Sequence, residues 1–341
     1  MNEQSNDKDI NLVIGGAGML GYEIVSQLLQ KGKRVRILDI KVLDDSRVEA
    51  IVGDIRHPQT VLAACLGATT VFQTAAAVWD PALPACIYDE VNVDGNRNVV
   101  AACQSLGVAK LVFTSTMDVV VDGARPVVDG DESLPYPAAV PKDPYSRTKI
   151  AAEKMMLSAN GPNLAVCVLR PAGMYGARDK YHVPNIIKAA RGGLNIRLGS
   201  GSAKFSHVYS ENVAHAHVLA AEHLQPGSRV AGQTYFVTDH DPENLFDFMA
   251  PFLVELGFPP ARLRIPYSLA YPLAALSELV SPKSNFNRFA VVQTCIDHTF
   301  SHAKATRDFG YHPIVSKEEA FKRTMEWLKK EWESSKLKVQ S

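Results

Sequence analysis

Short apolar runs alternate with amphipathic stretches along the first half of the chain. The runs are rich in β-branched residues and predict strands at Asn11–Ile14, Arg34–Asp39, Ala50–Gly53, Thr70–Thr74, Lys110–Ser115 and Ala165–Arg170. The stretches between them have helical spacing and predict helices at Gly21–Gln30, Thr60–Cys65, Ile87–Leu106 and Tyr145–Asn160. Strands that alternate with helices predict an α/β fold, in which a doubly wound parallel sheet is covered on both faces.

The pattern becomes less regular beyond Pro171, where Gly and Pro are frequent and the periodic runs are shorter. A helix over Glu211–Leu224 and a strand over Thr234–Thr238 are expected to return to the first domain. The tail over Lys317–Trp332 has the spacing of an amphipathic helix. The second half is therefore expected to supply the substrate pocket.

Composition and charge exclude several classes of function. Hydrophobic residues make up 46% of the 341 residues, as in globular proteins, and Lys+Arg equals Asp+Glu at 36 each. Without a basic excess, no nucleic acid partner is expected. The 5 cysteines are scattered and include no C-x-x-C pair, so neither a disulfide framework nor a metal site is predicted. A reducing compartment, the cytoplasm, is the expected location.

No apolar stretch reaches the ~20 residues that a membrane-spanning helix needs. The nearest, Ile265–Val280, is interrupted by prolines, serines and a glutamate. It is predicted to be a helix packed on the protein, and peripheral contact with a membrane is the alternative. The polar segment Met1–Asp9 has the features of neither a signal peptide nor a transit peptide, and a frayed tail is expected.

A glycine-rich turn, GGAGMLG, follows the first predicted strand and opens the first helix. Gly15, Gly18 and Gly21 allow a tight turn and the close approach of a diphosphate to the helix N-terminus. Free N–H groups and the helix dipole favour negative charge there. Met19 and Leu20 belong to the same turn. In this strand–turn–helix context the pattern predicts a dinucleotide cofactor.

Two carboxylates indicate which dinucleotide is bound. Asp39 ends the second predicted strand, where it can accept hydrogen bonds from both adenosine ribose hydroxyls. It would repel a 2′-phosphate, so NAD is predicted, and the nearby Lys41 keeps NADP as the less favoured alternative. Asp54, followed by Ile55, comes after the third strand and is expected to lie at the adenine.

Tyr145 and Lys149 are four residues apart in a predicted helix and therefore share one face. A free phenol has a pKa of about 10, and a nearby ammonium lowers that pKa by stabilising the phenolate. The pair predicts acid/base chemistry. Thr114 and Thr116 lie on one side of the fifth strand's end. Thr114 is expected at the cofactor and Thr116 at the substrate oxygen, with Ser115 as the alternative to Thr116.

With these motifs together, the chain resembles the extended short-chain dehydrogenases/reductases. More narrowly, it resembles the 3β-hydroxysteroid dehydrogenase/isomerase family, including the sterol-4α-carboxylate 3-dehydrogenases. The resemblance covers nearly the whole chain. Further segments that carry it are NVDGNRNV from Asn92, LVFTSTMDV from Leu111, RPAGMYG from Arg170, ENVAHAHVLAAE from Glu211 and ATRDFGYHP from Ala305.

The resemblance implies a Rossmann-type domain for NAD and a smaller, mostly C-terminal domain for the substrate. It implies that Asn92 supports a proton relay and that Ala75, Ala76, Pro171 and Ala172 line the cofactor site. Homodimers are frequent among such proteins, so a homodimer is an expected state. The expected domain ranges are 8–180 with 206–240 for the NAD-binding domain, and 181–205 with 241–341 for the substrate-binding domain.

The predicted function is oxidation of a secondary alcohol, or reduction of the ketone, on a sterol-like or other bulky apolar substrate. A substrate with a carboxylate next to the carbinol carbon would give a β-keto acid, which loses carbon dioxide readily. The candidates for the substrate pocket are Trp79, Met117, Tyr175, Phe205 and Tyr267.

Two other functions share these motifs. A nucleotide-sugar epimerase, dehydratase or reductase usually has an Arg after a Gly-x-Gly to hold the diphosphate. Counted from Gly199 and Gly201, that place holds Phe205. A non-catalytic NAD(P)-binding regulator is the other alternative. No metal is predicted, because His215 and His217 are two residues apart and point to different helix faces.

Overall fold

The computed structural model describes residues 9–339 apart from 81, 124, 142, 192–195, 260, 262, 282–283 and 285. The predicted N-terminal tail over 1–8 lies outside the described residues. The strands are β1 (Ile10–Ile14), β2 (Arg34–Asp39), β3 (Glu49–Val52), β4 (Ala68–Gln73), β5 (Lys110–Thr114), β6 (Val127–Gly130), β7 (Ala165–Pro171), β8 (Gly173–Tyr175), β9 (Ile196–Leu198), β10 (His207–Tyr209), β11 (Thr234–Val237), β12 (Leu263–Ile265) and β13 (His298–Phe300).

Helices cover the connections between these strands. They are α1 (Met19–Gln30), α2 (Pro58–Cys65), α3 (Ala85–Tyr88), α4 (Asn96–Leu106), α5 (Pro144–Ser158), α6 (His182–Arg191), α7 (Ser210–His223), α8 (Leu245–Glu255), α9 (Tyr267–Val280), α10 (Arg288–Cys295), α11 (Ala303–Phe309) and α12 (Lys317–Val339). A π-helical segment, Asp89–Gly95, joins α3 to α4, and a 3₁₀ turn, Met117–Val120, follows β5.

A seven-stranded parallel sheet forms the centre of the protein, in the order β11-β7-β5-β4-β1-β2-β3. The chain winds from β1 through β2 to β3 on one side and through β4, β5 and β7 to β11 on the other. The connections from β1 and β4 therefore leave in opposite directions and open a crevice at the carboxyl edge of the sheet. This topology confirms the predicted doubly wound α/β fold.

Both faces of the sheet are buried. Successive side chains of a strand point to opposite faces. Leu12 and Ile14 accordingly pack with buried residues of α2, α4 and α5, whereas Val13 packs with those of α1 and α7. The return of α7 and β11 to this core agrees with the prediction. Phe300, Phe309 and Tyr311 also join it, so the C-terminal part contributes to the larger core. The domain boundaries stay a prediction.

The prediction of one regular helix over Ile87–Leu106 is wrong. The chain forms α3, then π-helical turns over Asp89–Gly95, and then α4. At Gly95 an added Cβ would lie 2.6 Å from the Ile55 side chain, so only glycine permits this close approach. A change to π-helix within an α-helix commonly marks a functional site. Gly107, with φ of +70°, ends α4 as predicted.

Shorter parallel pairs extend beyond the central sheet. Strand β8 pairs with β10, β9 with β12, and β6 with β13. The last pair joins the first half of the chain to its C-terminal third, which sequence periodicity did not indicate. The segment Ile265–Val280 contains α9, as predicted. Among the described residues, no helix combines the length and apolar composition that crossing a membrane requires.

A buried ion pair fixes α5 to the sheet. Glu153 of α5 and Arg170 of β7 have side chains that are 0% and 4% exposed. Glu153 also accepts hydrogen bonds from the Tyr136 hydroxyl, at 2.8 Å, and from the Ser115 hydroxyl. Because buried charges are costly unless they are paired, this network sets the position of α5 relative to β5 and β7.

Glu153→Gln should destabilise the protein because it leaves the Arg170 guanidinium buried without a counter-charge. The expected loss in the free energy of unfolding is about 3–5 kcal/mol, measured by urea unfolding followed by circular dichroism. The control is Glu222→Gln, which removes an ion pair with Lys31 whose side chains are both 42% exposed. That control should lose at most about 1 kcal/mol. Equal losses in the two variants would contradict the structural role of Glu153.

Candidate active site

A cleft of about 1670 Å³ opens at the carboxyl edge of the sheet. It is large enough for a dinucleotide together with a substrate. Thr116 and Tyr145 line it. The predicted cofactor-binding residues that line it are Gly15, Gly18, Met19, Leu20, Gly21, Asp39, Asp54, Ile55, Ala75, Ala76, Thr114, Pro171 and Ala172.

The glycine turn has the geometry that a diphosphate needs. Gly15 has a φ of +86°, and a Cβ there would lie 2.6 Å from the Thr74 hydroxyl oxygen; a Cβ at Gly21 would clash with the Gly15 carbonyl. No described side chain caps α1 at Gly18. The N-terminal amides of α1 are therefore open to a ligand. These features fit a dinucleotide.

The two carboxylates predicted at the adenosine, Asp39 and Asp54, also line the cleft, and Asp39 lies beside the glycine turn. Asp39 accepts hydrogen bonds from the backbone amides of Ala17, at 3.0 Å, and Lys41, at 2.9 Å. Contact with Lys41, followed by burial, lowers the pKa of Lys180, so two ammonium groups lie close together beside Asp39.

Asp54 is engaged by its neighbour Arg56. The guanidinium of Arg56 donates to the Asp54 carboxylate at 2.8 and 3.0 Å and holds the pKa of Asp54 below its usual range. The Arg56 side chain also pairs with Glu90 at 2.9 Å. Asp54 thus lines the predicted adenine end as half of an ion pair, and the part it plays toward the adenine stays a prediction.

Helix α5 presents Tyr145 to the cleft, whereas Lys149 lies outside the cleft lining. The Asp143 carboxylate caps the helix by accepting from the Ser146 amide at 2.7 Å. Lys149 is buried, and its Nζ donates to the Thr114 carbonyl at 2.7 Å. Burial lowers the pKa of Lys149 to about 8, against the opposing effect of the nearby Glu153 carboxylate.

The pKa of Tyr145 departs from the expectation. In the protein alone, burial and then the Asp118 carboxylate raise the pKa of this phenol above its usual value, whereas a hydrogen bond with Thr116 lowers it. The structure corrects the expected lowering of this pKa by Lys149, because the shift comes from burial and the Asp118 carboxylate. The Lys149 ammonium instead donates to the Thr114 carbonyl and lies over the Phe113 ring. A phenolate at Tyr145 requires further positive charge.

Thr116 belongs to a polar group that the sequence did not reveal. Its hydroxyl donates to the Asp118 carboxylate at 3.0 Å, and Gln293 of α10 donates to the other carboxylate oxygen at 2.7 Å. Burial raises the pKa of Asp118 to about 6, against the effect of these hydrogen bonds. A carboxylate two residues after a candidate catalytic hydroxyl was the available signal. No signal in the sequence indicated Gln293, because only folding brings α10 to this edge of the sheet.

The hydroxyls beside Thr116 have structural partners. Ser115, the alternative catalytic residue, donates to Glu153 in the buried network, so Thr116 is the better placed of the two. The Thr114 hydroxyl lies 2.8 Å from Nε2 of His217, whose Nδ1 is 2.8 Å from the Val213 carbonyl. Within the described part of the chain, no cluster of His, Cys, Asp or Glu could hold a metal ion.

Asn92, the residue predicted to support a proton relay, is buried and hydrogen-bonded through its side-chain amide. Its amide oxygen accepts from the Ala77 backbone N–H at 2.8 Å, and its amide nitrogen donates to the Ala77 carbonyl and the Thr148 hydroxyl, both at 3.1 Å. Its own carbonyl accepts from Asn96 at 2.7 Å. These hydrogen bonds join the loop after β4 to α5, and the relay role of Asn92 stays a prediction.

The substrate candidates divide into two groups. Trp79, Met117 and Phe205 line the cleft. The structure corrects the prediction that Tyr175 and Tyr267 belong to the substrate pocket, because neither residue lines the cleft. Tyr175 is 1% exposed in an aromatic cluster, because β8 turns its side chain into the core. Tyr267 is at the start of α9, on the surface of the protein.

Comparison with known proteins gives the same class as the geometry. The model of the 3-beta hydroxysteroid dehydrogenase/isomerase family matches residues 12–267. A mouse protein named sterol-4-alpha-carboxylate 3-dehydrogenase, decarboxylating, is 36% identical over 92% of this chain and 89% of its own length. A Mycolicibacterium neoaurum 3-beta-hydroxysteroid dehydrogenase is 34% identical over 91% and 88%. A Stenotrophomonas maltophilia 2-alkyl-3-oxoalkanoate reductase is 35% identical over 92% and 97%.

Among solved structures, the Thermus thermophilus UDP-glucose 4-epimerase complex with NAD has a TM-score of 0.70 and 25% identity, covering 94% of this chain and 99% of that one. The fold and cleft thus define an oxidoreductase of the short-chain dehydrogenase type, which acts on CH–OH groups with a nicotinamide cofactor. The chain belongs to the 3-beta hydroxysteroid dehydrogenase/isomerase family.

Tyr145→Phe should abolish most turnover while sparing cofactor binding, because it removes only the oxygen that exchanges the proton. The expected loss in kcat is about 10²–10⁴-fold, measured as alcohol-dependent reduction of the cofactor. Cofactor affinity, measured by fluorescence titration, should stay within a few-fold. Tyr271→Phe, on α9 and outside the cleft lining, is the matched control and should keep full turnover. A Tyr145→Phe enzyme with unchanged kcat would exclude this residue as the acid/base.

Proposed function

We propose that this protein catalyses NAD-dependent oxidation of a secondary alcohol, or reduction of the ketone, on a sterol-like or other bulky apolar substrate. The observation that carries the proposal is that Tyr145 and Thr116 line the same cleft as the apolar side chains of Trp79, Met117 and Phe205. Relatives named for sterol and hydroxysteroid substrates support the same substrate class.

In the proposed oxidation, Thr116 holds the alcohol oxygen and Tyr145, as phenolate, takes the hydroxyl proton. A bound oxidised nicotinamide would supply the acceptor for the carbinol hydride and a positive charge in the cleft. Lys149, whose ammonium donates to the Thr114 carbonyl, orients the nicotinamide ribose. Asn92 holds α5 in place through Thr148. Proximity and a matched pKa supply most of the rate enhancement.

The cofactor is proposed to be NAD. Asp39 lines the cleft at the end of β2, where its carboxylate would meet a ribose 2′-hydroxyl favourably and a 2′-phosphate unfavourably. Lys41 and Lys180 beside it reduce this preference, because two ammonium groups would attract a phosphate. We therefore expect a preference for NAD in kcat/KM with measurable use of NADP.

A nucleotide-sugar substrate is less well supported. Solved epimerases share the fold, but Phe205 occupies the position where such enzymes carry a diphosphate-binding Arg, and its side chain is only 5% exposed. A purely regulatory protein would have no use for the combination of Tyr145, Lys149 and Thr116. Both functions remain as alternative outcomes of the assay below.

The first assay measures NADH or NADPH formation by absorbance with a panel of 3β-hydroxysteroids and long-chain secondary alcohols. UDP-sugar conversion is followed by chromatography of the sugar product, because an epimerase or dehydratase returns the hydride to its substrate and forms no net NADH. Turnover of at least one 3β-hydroxysteroid is expected, faster with NAD than with NADP. The matched control is the 3α-hydroxy epimer of each steroid, since a fixed Tyr145 should select one face of the carbinol carbon. Turnover of UDP-sugars alone would contradict the apolar substrate class.

We further propose contact with a phospholipid surface through α9. Its exposed apolar face is formed by Leu269, Leu273, Leu276, Leu279 and Val280. Helix α9 packs on α10, which lines the cleft, so an apolar substrate dissolved in lipid would enter next to this face. Cytoplasmic location and homodimer formation stay predictions from the sequence.

Vesicle sedimentation tests the lipid contact. The protein should co-sediment with neutral phosphatidylcholine vesicles, and Leu276→Glu with Leu279→Glu should reduce the bound fraction several-fold because two charges would enter the lipid. Leu263→Glu, outside α9 and also exposed, is the control. Equal binding by all three proteins would exclude α9 as the contact.

A further inference from the structure

Asp118 is a carboxylate beside the reacting groups for which the proposed mechanism has no use. One carboxylate oxygen accepts from the Thr116 hydroxyl at 3.0 Å and the other accepts from Gln293 at 2.7 Å. Asp118 lines the cleft together with Tyr145, and its charge raises the pKa of that phenol. A negative charge therefore lies about one hydrogen bond beyond the place where Thr116 would hold the substrate oxygen.

Among the described side chains that line this end of the cleft, none has a positive charge that could balance Asp118. Among the described lining residues, the Lys and Arg side chains are at the adenosine end, beside Asp39 and Asp54: Lys41, Arg56, Arg178 and Lys180. Lys149 lies outside the cleft lining, and its ammonium donates to the Thr114 carbonyl. A second anion next to the reacting carbon would meet Asp118 without a cationic side chain to compensate.

We propose that Asp118 is a specificity-determining residue that restricts this site to uncharged alcohols and ketones and excludes substrates with a carboxylate on the carbon next to the reacting one. This inference rests on the proposed function. Two unit charges about 6 Å apart at an effective dielectric constant of about 20 repel each other enough to reduce kcat/KM about 100-fold. Specificity then comes from repulsion of the wrong substrate.

The proposal has a chemical consequence. Oxidation of an alcohol that has a neighbouring carboxylate gives a β-keto acid, whose C–C bond to the carboxylate breaks to release carbon dioxide. A site that excludes the carboxylate forms a stable ketone instead. The mouse and Stenotrophomonas relatives are named for carboxylated substrates, and the Mycolicibacterium relative is named for a hydroxysteroid. Under this proposal the substrate of this chain is uncharged, like the hydroxysteroid for which the Mycolicibacterium relative is named.

The test compares kcat/KM for a 3β-hydroxysteroid and for its 4α-carboxylate in three proteins. The unchanged enzyme should prefer the neutral steroid about 100-fold. Asp118→Asn keeps an oxygen that accepts from Thr116 and removes the charge, so the carboxylate-to-neutral ratio should rise at least tenfold. Asp122→Asn makes the same charge change outside the cleft lining and should leave the ratio unchanged. A ratio near one in the unchanged enzyme, or no change in Asp118→Asn, overturns the inference.

Acidification provides a second readout if Asp118→Asn fails to fold. The groups that face Asp118 are Asp143 at the start of α5, Tyr145, Thr116 and the uncharged Gln293. The raised pKa of Asp118, about 6, means that its charge is lost as the pH falls through that value. The carboxylate-to-neutral ratio of the unchanged enzyme should therefore rise between pH 7.5 and 5.5, whereas a flat ratio overturns the proposal.

An open-chain pair separates this inference from the steroid assignment. A long-chain ketone and the matching 2-alkyl-3-keto acid, each reduced by NADH, differ by the same carboxylate. Faster reduction of the ketone than of the keto acid, without any steroid turnover, would end the steroid assignment. It would keep the proposal that Asp118 excludes a neighbouring carboxylate, which is called the charge rule below. Equal reduction of both would overturn the charge rule, and no turnover in either series would end both proposals.

Discussion

The burial of one ammonium group determines how the active site is built. Lys149 is shielded from water and depends on the Thr114 carbonyl at the end of β5 for its hydrogen bond. Tyr145 precedes it by one helical turn and Glu153 follows it by one, so a single face of α5 carries the phenol, the ammonium and the carboxylate. Glu153 is paired with Arg170 of β7. The position of the phenol is thus fixed by contacts with two strands.

The rest of the active site lies where the order of strands in the sheet reverses, between β1 and β4. Strands β1 and β4 are neighbours whose connections leave on opposite sides, and the crevice between them receives the glycine turn from one side and the Thr116 segment from the other. The π-helical segment at Asn92 then fits against α5 through Thr148. Cofactor and substrate groups come from distant parts of the chain, but they meet because parallel strands end at one edge.

Local sequence predicted most of this arrangement. The predicted strands and helices of the first half lie within two residues of their expected ends, except for Ile87–Leu106, and β6 was not predicted. The glycine turn and the Tyr145–Lys149 pair could be predicted because their chemistry depends on spacing within one strand–turn–helix unit or one helix. The fold class follows from the same periodicity.

Features that depend on tertiary packing could not be predicted. The π-helical turns arise where Gly95 meets Ile55. The environment of Asp118 depends on Gln293, which is distant in sequence and lies on α10. Tyr175 is a large aromatic residue of the kind that lines apolar pockets, but β8 directs its side chain into an aromatic core. In each case the deciding neighbour is remote in the chain, and no periodicity connects the two.

The central claim is that this cleft transfers hydride from a carbinol carbon while Tyr145 takes the proton. The most direct measurement uses a 3β-hydroxysteroid with deuterium on the carbinol carbon, and mass spectrometry of the reduced cofactor and the product. The account predicts deuterium in the reduced cofactor, a ketone product without it, and slower oxidation than with the protiated steroid. Deuterium retained in the product or released to water would contradict hydride transfer in this cleft.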